Sequence, residues 1–434
     1  MTLTQKLETY FEFKELGTNW RREILAGFSV FLSLAYIIVV NPTILAKGGI
    51  PLEIAFFATV AISGLAMIAM GLWARLPFVL APGLEMNAYL VFFIIGVLGY
   101  SWQEALGLVF WSGVLFLILT LTRLRQGIIE AIPENMKYIL SFAVGVFVAA
   151  IGLRITDLLF YDGSFISGVG DFISPKAITL YIGLGVLIIL SKLRVPGAVL
   201  LSIFAGSLYL NLTAGVDDTA NYGGFAEMTK DVGAFDPFFA LKSRAAIGAI
   251  FVLFAIDFYG SIAKFIGLTV NTPIKIQERS GKALYVDSVA TIFGAAAGTS
   301  SITTYVESAV GIGAGGRSGI VAIIAGVLML ASFFLLPYLS YVPVAATAPA
   351  LLYVGYKLFP VAILKDKFRL FDWFVLAVSG LIVFFMFALD KAMLFGFACY
   401  FAMALFAKFK GQHSKDLNIY LFISILILLA SMAF

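Results

Sequence analysis

Long apolar runs separated by short polar connections recur along the whole chain. A helix that crosses a bilayer needs about 20 mostly apolar residues. The first half of the chain predicts seven such helices, at 24–46, 53–74, 78–98, 105–121, 137–153, 177–191 and 197–212. The second half predicts seven more, at 245–268, 284–297, 298–319, 320–339, 342–361, 373–389 and 392–408. The pattern therefore predicts an all-α polytopic membrane protein with 14 transmembrane helices, and it does not decide whether the last apolar run, 417–434, also spans.

Two of the predicted helices are interrupted, and each is the third of its half. The first contains Ala81-Pro82-Gly83, and the second is the stretch 298–319, which gathers hydroxyl side chains around Tyr305 and Glu307. A Pro-Gly pair by itself is more often only a kink. Interrupted segments at matching positions in two halves favour a transporter built from inverted repeats, whose half-helices meet near the bilayer midplane and point their N–H groups at a substrate. A polar cluster at that depth is a functional-site hypothesis.

Composition and charge support this class of protein. With 61% hydrophobic and 12% charged residues, the chain is too apolar for a soluble domain. Basic residues alternate between connections, which by the positive-inside rule predicts a cytoplasmic N-terminus and an extracytoplasmic long connection, 213–242. They are dispersed at helix ends, so nucleic-acid binding is not expected. Residues 1–23 predict either an amphipathic lead-in on the membrane surface or a frayed tail.

Several motifs resemble one family of transporters. They are Asn19-Trp20-Arg21-Arg22-Glu23, Asn41-Pro42, Ala81-Pro82-Gly83 with Asn87, Gly298-Thr299-Ser300, Thr303-Thr304-Tyr305-Val306-Glu307-Ser308 and Ala346-Thr347-Ala348-Pro349. On these residues the chain is similar to the nucleobase:cation symporter family of uracil and xanthine transporters. Within that family it resembles the azaguanine-resistance branch, the permeases for hypoxanthine, guanine and adenine.

The resemblance implies seven plus seven inverted repeats arranged as a core domain and a gate domain. It assigns residues 24–122 and 244–340 to the core, and 123–243 and 341–434 to the gate, with 1–23 as the lead-in. It further implies proton-coupled uptake of a small-molecule substrate across the inner membrane, by movement of the core against the gate, and a homodimer in the lipid bilayer.

The resemblance also implies a substrate site at the meeting point of the third, eighth and tenth segments. Its residues would be Asn87 and Glu85, then Asp257, Gly260 and Ser261, and finally Thr304, Tyr305 and Glu307. Glu307 would accept hydrogen bonds from ring N–H groups of a nucleobase, and a carboxylate is chemically suited to this because charge-assisted bonds are about twice as strong as neutral ones. The alternative is that Glu307 caps a half-helix or pairs with a neighbouring cation.

The eighth helix departs from the pattern of purine permeases. These typically carry Asp-x-Phe-Asp-Thr-x-Gly-Thr, whereas here Asp257 is kept, Gly260 replaces the second Asp, Ser261 replaces the first Thr and Lys264 replaces the last. In the third segment Glu85 stands where the family has glycine, and it would either take over the role of the lost acid or form an ion pair with Lys264. A charge inside a membrane needs a partner, and Glu85 and Asp257 are the candidates. Lys264 would lock an acid structurally, supply a fixed cation, or extend towards the cytoplasmic surface.

These departures concern the identity of the substrate more than the architecture of the protein. The first hypothesis is a purine transporter, and the second is the same fold carrying another small planar or anionic solute. An ion channel is the alternative from another class, and an enzyme is not expected. Coupling by protons would use Glu85, Asp257 or Glu307, and coupling by sodium would need an oxygen cage near 299–304. Neither a cofactor nor a resident metal is predicted, and His413 and Cys399 are assigned no role.

Overall fold

The structure, a computed structural model, describes residues 2–122, 134–162, 165–193, 195, 197–213, 229–239, 244–269, 272–335, 341–359 and 368–409. Most of the predicted long connection, the final apolar run 417–434 and His413 lie outside the described residues.

In its described residues, the first half consists of helices, their connections and three short strands. Its helices are α1 (Leu3–Tyr10), α2 (Phe13–Leu16), α3 (Trp20–Leu34), α4 (Ile37–Ala46), α5 (Leu52–Ala69), α6 (Leu84–Ala88), α7 (Trp102–Leu121), α8 (Glu134–Ile155), α9 (Pro175–Lys192) and α10 (Ala198–Thr213). The π-helical segments Met70–Ala74 and Tyr89–Ile95 extend α5 and α6. The strands are β1 (Leu80–Pro82), β2 (Leu159–Asp162) and β3 (Phe165–Val169).

The described residues of the second half are also mostly helical. Its helices are α11 (Arg244–Thr269), α12 (Ile276–Ala297), α13 (Ser308–Gly313), α14 (Ile320–Ala331), α15 (Ala348–Lys357), α16 (Leu370–Met386) and α17 (Leu389–Phe409). Short 3₁₀ turns follow α14 at Ser332–Leu335 and precede α15 at Val344–Thr347. One strand, β4 (Ile302–Thr304), lies within the polar stretch.

The helical prediction is confirmed, because nearly every apolar run forms a helix close to its expected bounds. In the described part of the chain, four helices are long and apolar enough to cross a membrane by themselves: Trp20–Ala46, Leu52–Ala74, Trp102–Leu121 and Pro175–Lys192. Shorter apolar helices account for other predicted spans. The count of 14 transmembrane helices stays a prediction.

Three local features differ from the sequence pattern. The first predicted span is broken at Ala35 and Tyr36, between α3 and α4. The antiparallel hairpin of β2 and β3 was not predicted, because its acidic segment has no clear alternation. The lead-in is not a frayed tail, since Phe11 and Phe13 are buried against Ile320 of the protein itself. Its position on a membrane surface stays a prediction.

The lead-in is also held by charge. Glu12 adopts a left-handed backbone conformation and binds two arginines, Arg75 at 2.7 Å and Arg279. Arg279 in turn donates to the carbonyl oxygen of Arg75 at 2.9 Å. The N-terminal segment is therefore attached to the ends of α5 and α12, two helices that lie next to the polar centre of the molecule.

The two interrupted segments cross each other as short antiparallel strands. In β1 and β4, Leu80 pairs with Thr304 and Pro82 pairs with Ile302, and all six strand residues are buried. Proline has no N–H to donate and disfavours a helical residue before it, so the chain is extended at this point. The half-helix α6 begins after β1 and the half-helix α13 begins after β4, which confirms the predicted half-helices in the third and tenth segments.

The longer helices pack in two groups. The first group contains α3, α4, α5, α7, α11, α12 and α14, together with the crossing strands and the half-helices α6 and α13 that follow these strands. The second group contains α8, α9, α10, α15, α16 and α17. The assignment of residue ranges to a core domain and a gate domain stays a prediction.

Candidate functional site

A small cavity lies between the two groups of helices, next to the crossing strands. Its lining comprises Tyr36, Leu84, Glu85, Lys264, Tyr305, Val306, Glu307, Val354 and Leu358. Val354 and Leu358 come from α15 and the residue after it, and the other residues belong to the first group. The empty space between these side chains, which includes the part that opens to solvent, is about 310 Å³.

Glu307, the residue just before α13, has a hydrogen-bond partner on only one of its two carboxylate oxygens among the described residues. Its Oε1 accepts a hydrogen bond from the hydroxyl of Tyr36 at 2.9 Å. Its Oε2 is buried and has no hydrogen-bond partner among the described residues. A buried carboxylate oxygen without a partner is costly, so this atom is where a ligand donor would gain most. The break between α3 and α4 serves the site, because it places the Tyr36 hydroxyl beside Glu307.

Lys264 and Glu85 form an ion pair at the cavity wall. The ammonium Nζ lies 3.2 Å from Glu85 Oε1, and each side chain is 12% exposed. The same nitrogen lies 5.9 Å from the ring centroid of Tyr305, within cation–π range. The pairing hypothesised from the sequence is thus formed, and Lys264 points into the site instead of towards the membrane surface.

Two further carboxylates lie behind the crossing strands, on α11 and α12. Asp257 accepts hydrogen bonds through Oδ2 from Thr291, at 3.2 Å, and from Ser301. Asp287 accepts from Ser261 at 2.7 Å and from Thr304 at 3.2 Å. Both side chains are buried, and Oδ1 of Asp257 has no hydrogen-bond partner in the described part of the chain. They form a second polar layer that does not line the cavity.

A third set of polar side chains joins the two halves through amides. Asn87 donates to Oδ1 of Asn41 and accepts from Ser300, while Asn41 donates to Thr299 at 3.0 Å and to Thr59. All five side chains are buried. Two of these hydrogen bonds connect α4 and α6 with the polar stretch, and the other two connect α4 with α5 and with α6. The network therefore holds the crossing segments together.

The predicted site residues therefore fall into separate layers. Glu85, Lys264, Tyr305 and Glu307 line the cavity. Asp257, Ser261 and Thr304 lie in the carboxylate layer, and Asn87 lies in the amide network, so none of these four is part of the cavity lining.

Gly260 lies one turn before Lys264 on α11, and its position is open. Among the described residues, a methyl group built on it would meet no atom within 4 Å outside its own helix backbone and its two chain neighbours. At the position where the family resemblance leads us to expect a carboxylate, the structure therefore has space that no described side chain fills.

Sequence reasoning missed three polar residues of this region: Tyr36, Asn41 and Asp287. Asp287 lies within the predicted span 284–297, and an ionisable residue inside a span is itself a signal for a functional site. Asn41 carries a weaker signal of the same kind. Tyr36 lies in an apolar run, and nothing nearby indicates that it meets Glu307, 271 positions away.

An aromatic cluster joins the two groups of helices at a second place. The guanidinium carbon of Arg154 lies 4.8 Å from the ring centroid of Phe92, 5.5 Å from Phe387 and 6.0 Å from Tyr161. Phe92 follows α6, whereas Arg154 ends α8. Near the start of α8, Ser141 donates to the carbonyl oxygen of Leu358 at 3.1 Å. At about 1.5 Å per residue, Arg154 is roughly 20 Å further along that helix, so the cluster and Leu358 lie towards opposite ends of it.

Comparison with known proteins supports the resemblance seen in the motifs. The model of the xanthine/uracil permease group, described as a permease family, matches residues 21–363. The adenine permease AdeQ of Escherichia coli is 35% identical over 354 residues, covering 80% of this chain and 79% of that protein. The guanine/hypoxanthine permease PbuO of Bacillus subtilis is 36% identical over 360 residues, covering 80% of this chain and 82% of that protein.

Solved structures share the architecture at low identity. The transmembrane domain of the cyanobacterial bicarbonate transporter BicA superposes with a TM-score of 0.62 and 14% sequence identity, covering 94% of this chain and 97% of that one. At this identity the likeness establishes the fold alone. It supports a multi-pass membrane transporter fold.

Proposed function

Because the chain belongs to the xanthine/uracil permease family, a family of membrane transporters, we propose that it is a secondary transporter that takes up a purine nucleobase. The observation that carries this proposal is the unpartnered Oε2 of Glu307 in a cavity between two groups of helices. A ring N–H of a planar base would supply the missing hydrogen bond. Relatives named as adenine and as guanine/hypoxanthine permeases support a purine as the substrate.

The proposed movement is alternating access of the first helix group, the core, against the second, the gate. The cavity lies between the groups beside Leu358, and the Arg154 cluster holds Phe92 of the core against the gate towards the other end of α8. In the predicted orientation Leu358 faces the cytoplasm, so this arrangement corresponds to an inward-facing state. Exposure of the site to the other side would require the Arg154 cluster to separate.

Proton coupling is part of the proposal. Glu85 and Glu307 line the cavity and Asp257 lies directly behind it, and Asp287 adds a fourth acid that the sequence analysis did not include. The test is uptake into proteoliposomes with an imposed pH gradient and no sodium, compared with uptake under an imposed sodium gradient at constant pH. Accumulation that follows the pH gradient is expected. Uptake that ignores pH but requires sodium would replace the proton with sodium as the coupling ion.

Binding by Glu307 is tested by the thermal midpoint of the purified protein with a panel of purines, pyrimidines and small organic anions. A ligand at about 100 times its Kd stabilises the folded state by about 2.7 kcal/mol. We expect at least one purine to raise the midpoint, and Glu307→Gln to abolish that rise while it still elutes as a folded protein. Glu278→Gln is the matched control, because Glu278 is on the surface with a side chain that is 68% exposed.

The other candidate functions predict different results. Stabilisation by an organic anion without any response to purines would favour the same fold carrying an anionic solute, for which Lys264 would provide the positive charge. Conductance that does not saturate with concentration would indicate a channel. The predicted homodimer is a separate question, which sedimentation of the detergent-solubilised protein would answer.

A further inference from the structure

The cavity offers two unlike polar groups to a ligand. Oε2 of Glu307 is a buried acceptor with no hydrogen-bond partner among the described residues. The ammonium of Lys264 is a donor that lines the same cavity. A ligand that satisfies both must present a donor to Glu307 and an acceptor to Lys264.

Lys264 has hydrogen-bonding capacity to spare. An ammonium carries three N–H donors, and Glu85 Oε1, at 3.2 Å, is its one hydrogen-bond acceptor within the described ranges. The face of the Tyr305 ring, with its centroid at 5.9 Å, stabilises the charge but accepts no conventional hydrogen bond. The side chain is only 12% exposed, so its remaining donors have little access to water. A ligand acceptor at this position would therefore form a charge-assisted hydrogen bond.

Position 260, one helical turn before Lys264, carries no side chain that competes for the ammonium of Lys264. Residues four apart lie on the same face of a helix, so an acid at position 260 would compete for the ammonium. Gly260 places no side chain there, and the space around its position is open. The free donor and the free space lie together on α11, on the face that carries Lys264.

We propose that Lys264 selects 6-oxopurines over 6-aminopurines by donating to the carbonyl oxygen of the lactam edge while Glu307 accepts from the adjacent ring N–H. This inference rests on the proposed function. Adenine reverses both groups on that edge, since its exocyclic amine would face the ammonium and its bare ring nitrogen would face the carboxylate. A site that bonds a specific donor and acceptor discriminates strongly, because the wrong ligand leaves its buried partners unsatisfied. The substrate class is thus hypoxanthine and guanine, with adenine disfavoured.

The first test needs no variant. Competition against radiolabelled hypoxanthine should rank unlabelled hypoxanthine and guanine above adenine by roughly 10- to 100-fold, the range expected for one hydrogen bond to a charged group. The 6-thione analogue of hypoxanthine keeps the ring N–H but replaces oxygen with a weaker acceptor, and it should bind about 10-fold less well than hypoxanthine. Adenine that binds as tightly as hypoxanthine would overturn the inference while leaving the purine transporter intact. If no purine binds, the proposed function fails as well.

The second test assigns the selectivity to Lys264. In Lys264→Met the preference for hypoxanthine over its 6-thione analogue should shrink to about threefold or less, since the group that senses the oxygen is gone. Lys176→Met is the matched control, because Lys176 forms a 3.2 Å ion pair with Asp157 on the protein surface. An unchanged preference in Lys264→Met would reject Lys264 as the selecting residue. If this variant does not fold, the ligand comparison on the unmodified protein still decides the substrate class.

Discussion

Removing one partner of the Lys264–Glu85 ion pair should destabilise the protein, and removing both should restore part of the loss. At 3.2 Å and an effective dielectric constant of about 20, the Coulomb attraction is roughly 5 kcal/mol before desolvation is subtracted. Desolvation offsets much of this, so a net coupling of about 1–3 kcal/mol remains. Lys264→Met leaves Glu85 charged and unpaired in a largely buried place, at a cost of about 3 kcal/mol.

The free-energy cost of Lys264→Met can be converted into an expected change in the thermal midpoint. An unfolding entropy of about 2.1 cal/mol/K per residue, applied to 434 residues, gives roughly 0.9 kcal/mol/K. A loss of about 3 kcal/mol therefore lowers the thermal midpoint by about 3 °C. The assay is thermal unfolding of the ligand-free protein in detergent for wild type, Lys264→Met, Glu85→Gln and the double variant.

The chain offers a matched control pair. Lys176 and Asp157 are also 3.2 Å apart, but their side chains are 38% and 52% exposed. Exposed pairs typically contribute 0.2–1 kcal/mol, so Lys176→Met with Asp157→Asn should show a coupling below about 1 kcal/mol. The reasoning is refuted if Lys264→Met and Glu85→Gln are additive within about 0.5 kcal/mol, or if the exposed pair couples as strongly as the cavity pair.

Two further predictions concern glycine positions and the lead-in. Gly260→Ala should raise the thermal midpoint slightly, because the space is open and alanine suits a helix interior better by up to about 1 kcal/mol. Gly319→Ala should lower it by several times that amount, since the new methyl group would lie 2.0 Å from the carbonyl oxygen of Gly71, and equal shifts would contradict this packing. Glu12→Gln removes the acid shared by Arg279 and a second arginine. Limited trypsin digestion should then release the N-terminal segment faster, and an unchanged digestion rate would contradict the proposed attachment.

The helices were predictable because their signal is local. The run 105–121 became Trp102–Leu121 and the run 177–191 became Pro175–Lys192. The free energy of placing a helix in a bilayer accumulates residue by residue along one segment, so no distant contact is needed to find it. The interruption at Pro82 was visible for the same reason, because proline acts on its own neighbours.

The ion pair was predictable by a different argument. Lys264 is a charge inside an apolar helix, and such a charge requires a partner wherever the chain folds. Two candidates were available, Glu85 and Asp257. In the structure Lys264 pairs with Glu85, whereas Asp257 accepts hydrogen bonds from the hydroxyls of Thr291 and Ser301.

The sequence by itself determined that this is a helical membrane protein, where its two interrupted segments lie, and which family it belongs to. Only the tertiary structure decided how the polar residues divide among cavity, carboxylate layer and amide network. The hydroxyl of Tyr36 donates a hydrogen bond to Glu307, which lies 271 positions away in the chain. The open space beside Gly260 is likewise visible only in the folded structure. Apolar transfer free energy is a property of each segment, whereas a hydrogen bond depends on the distance between two atoms that packing alone brings together.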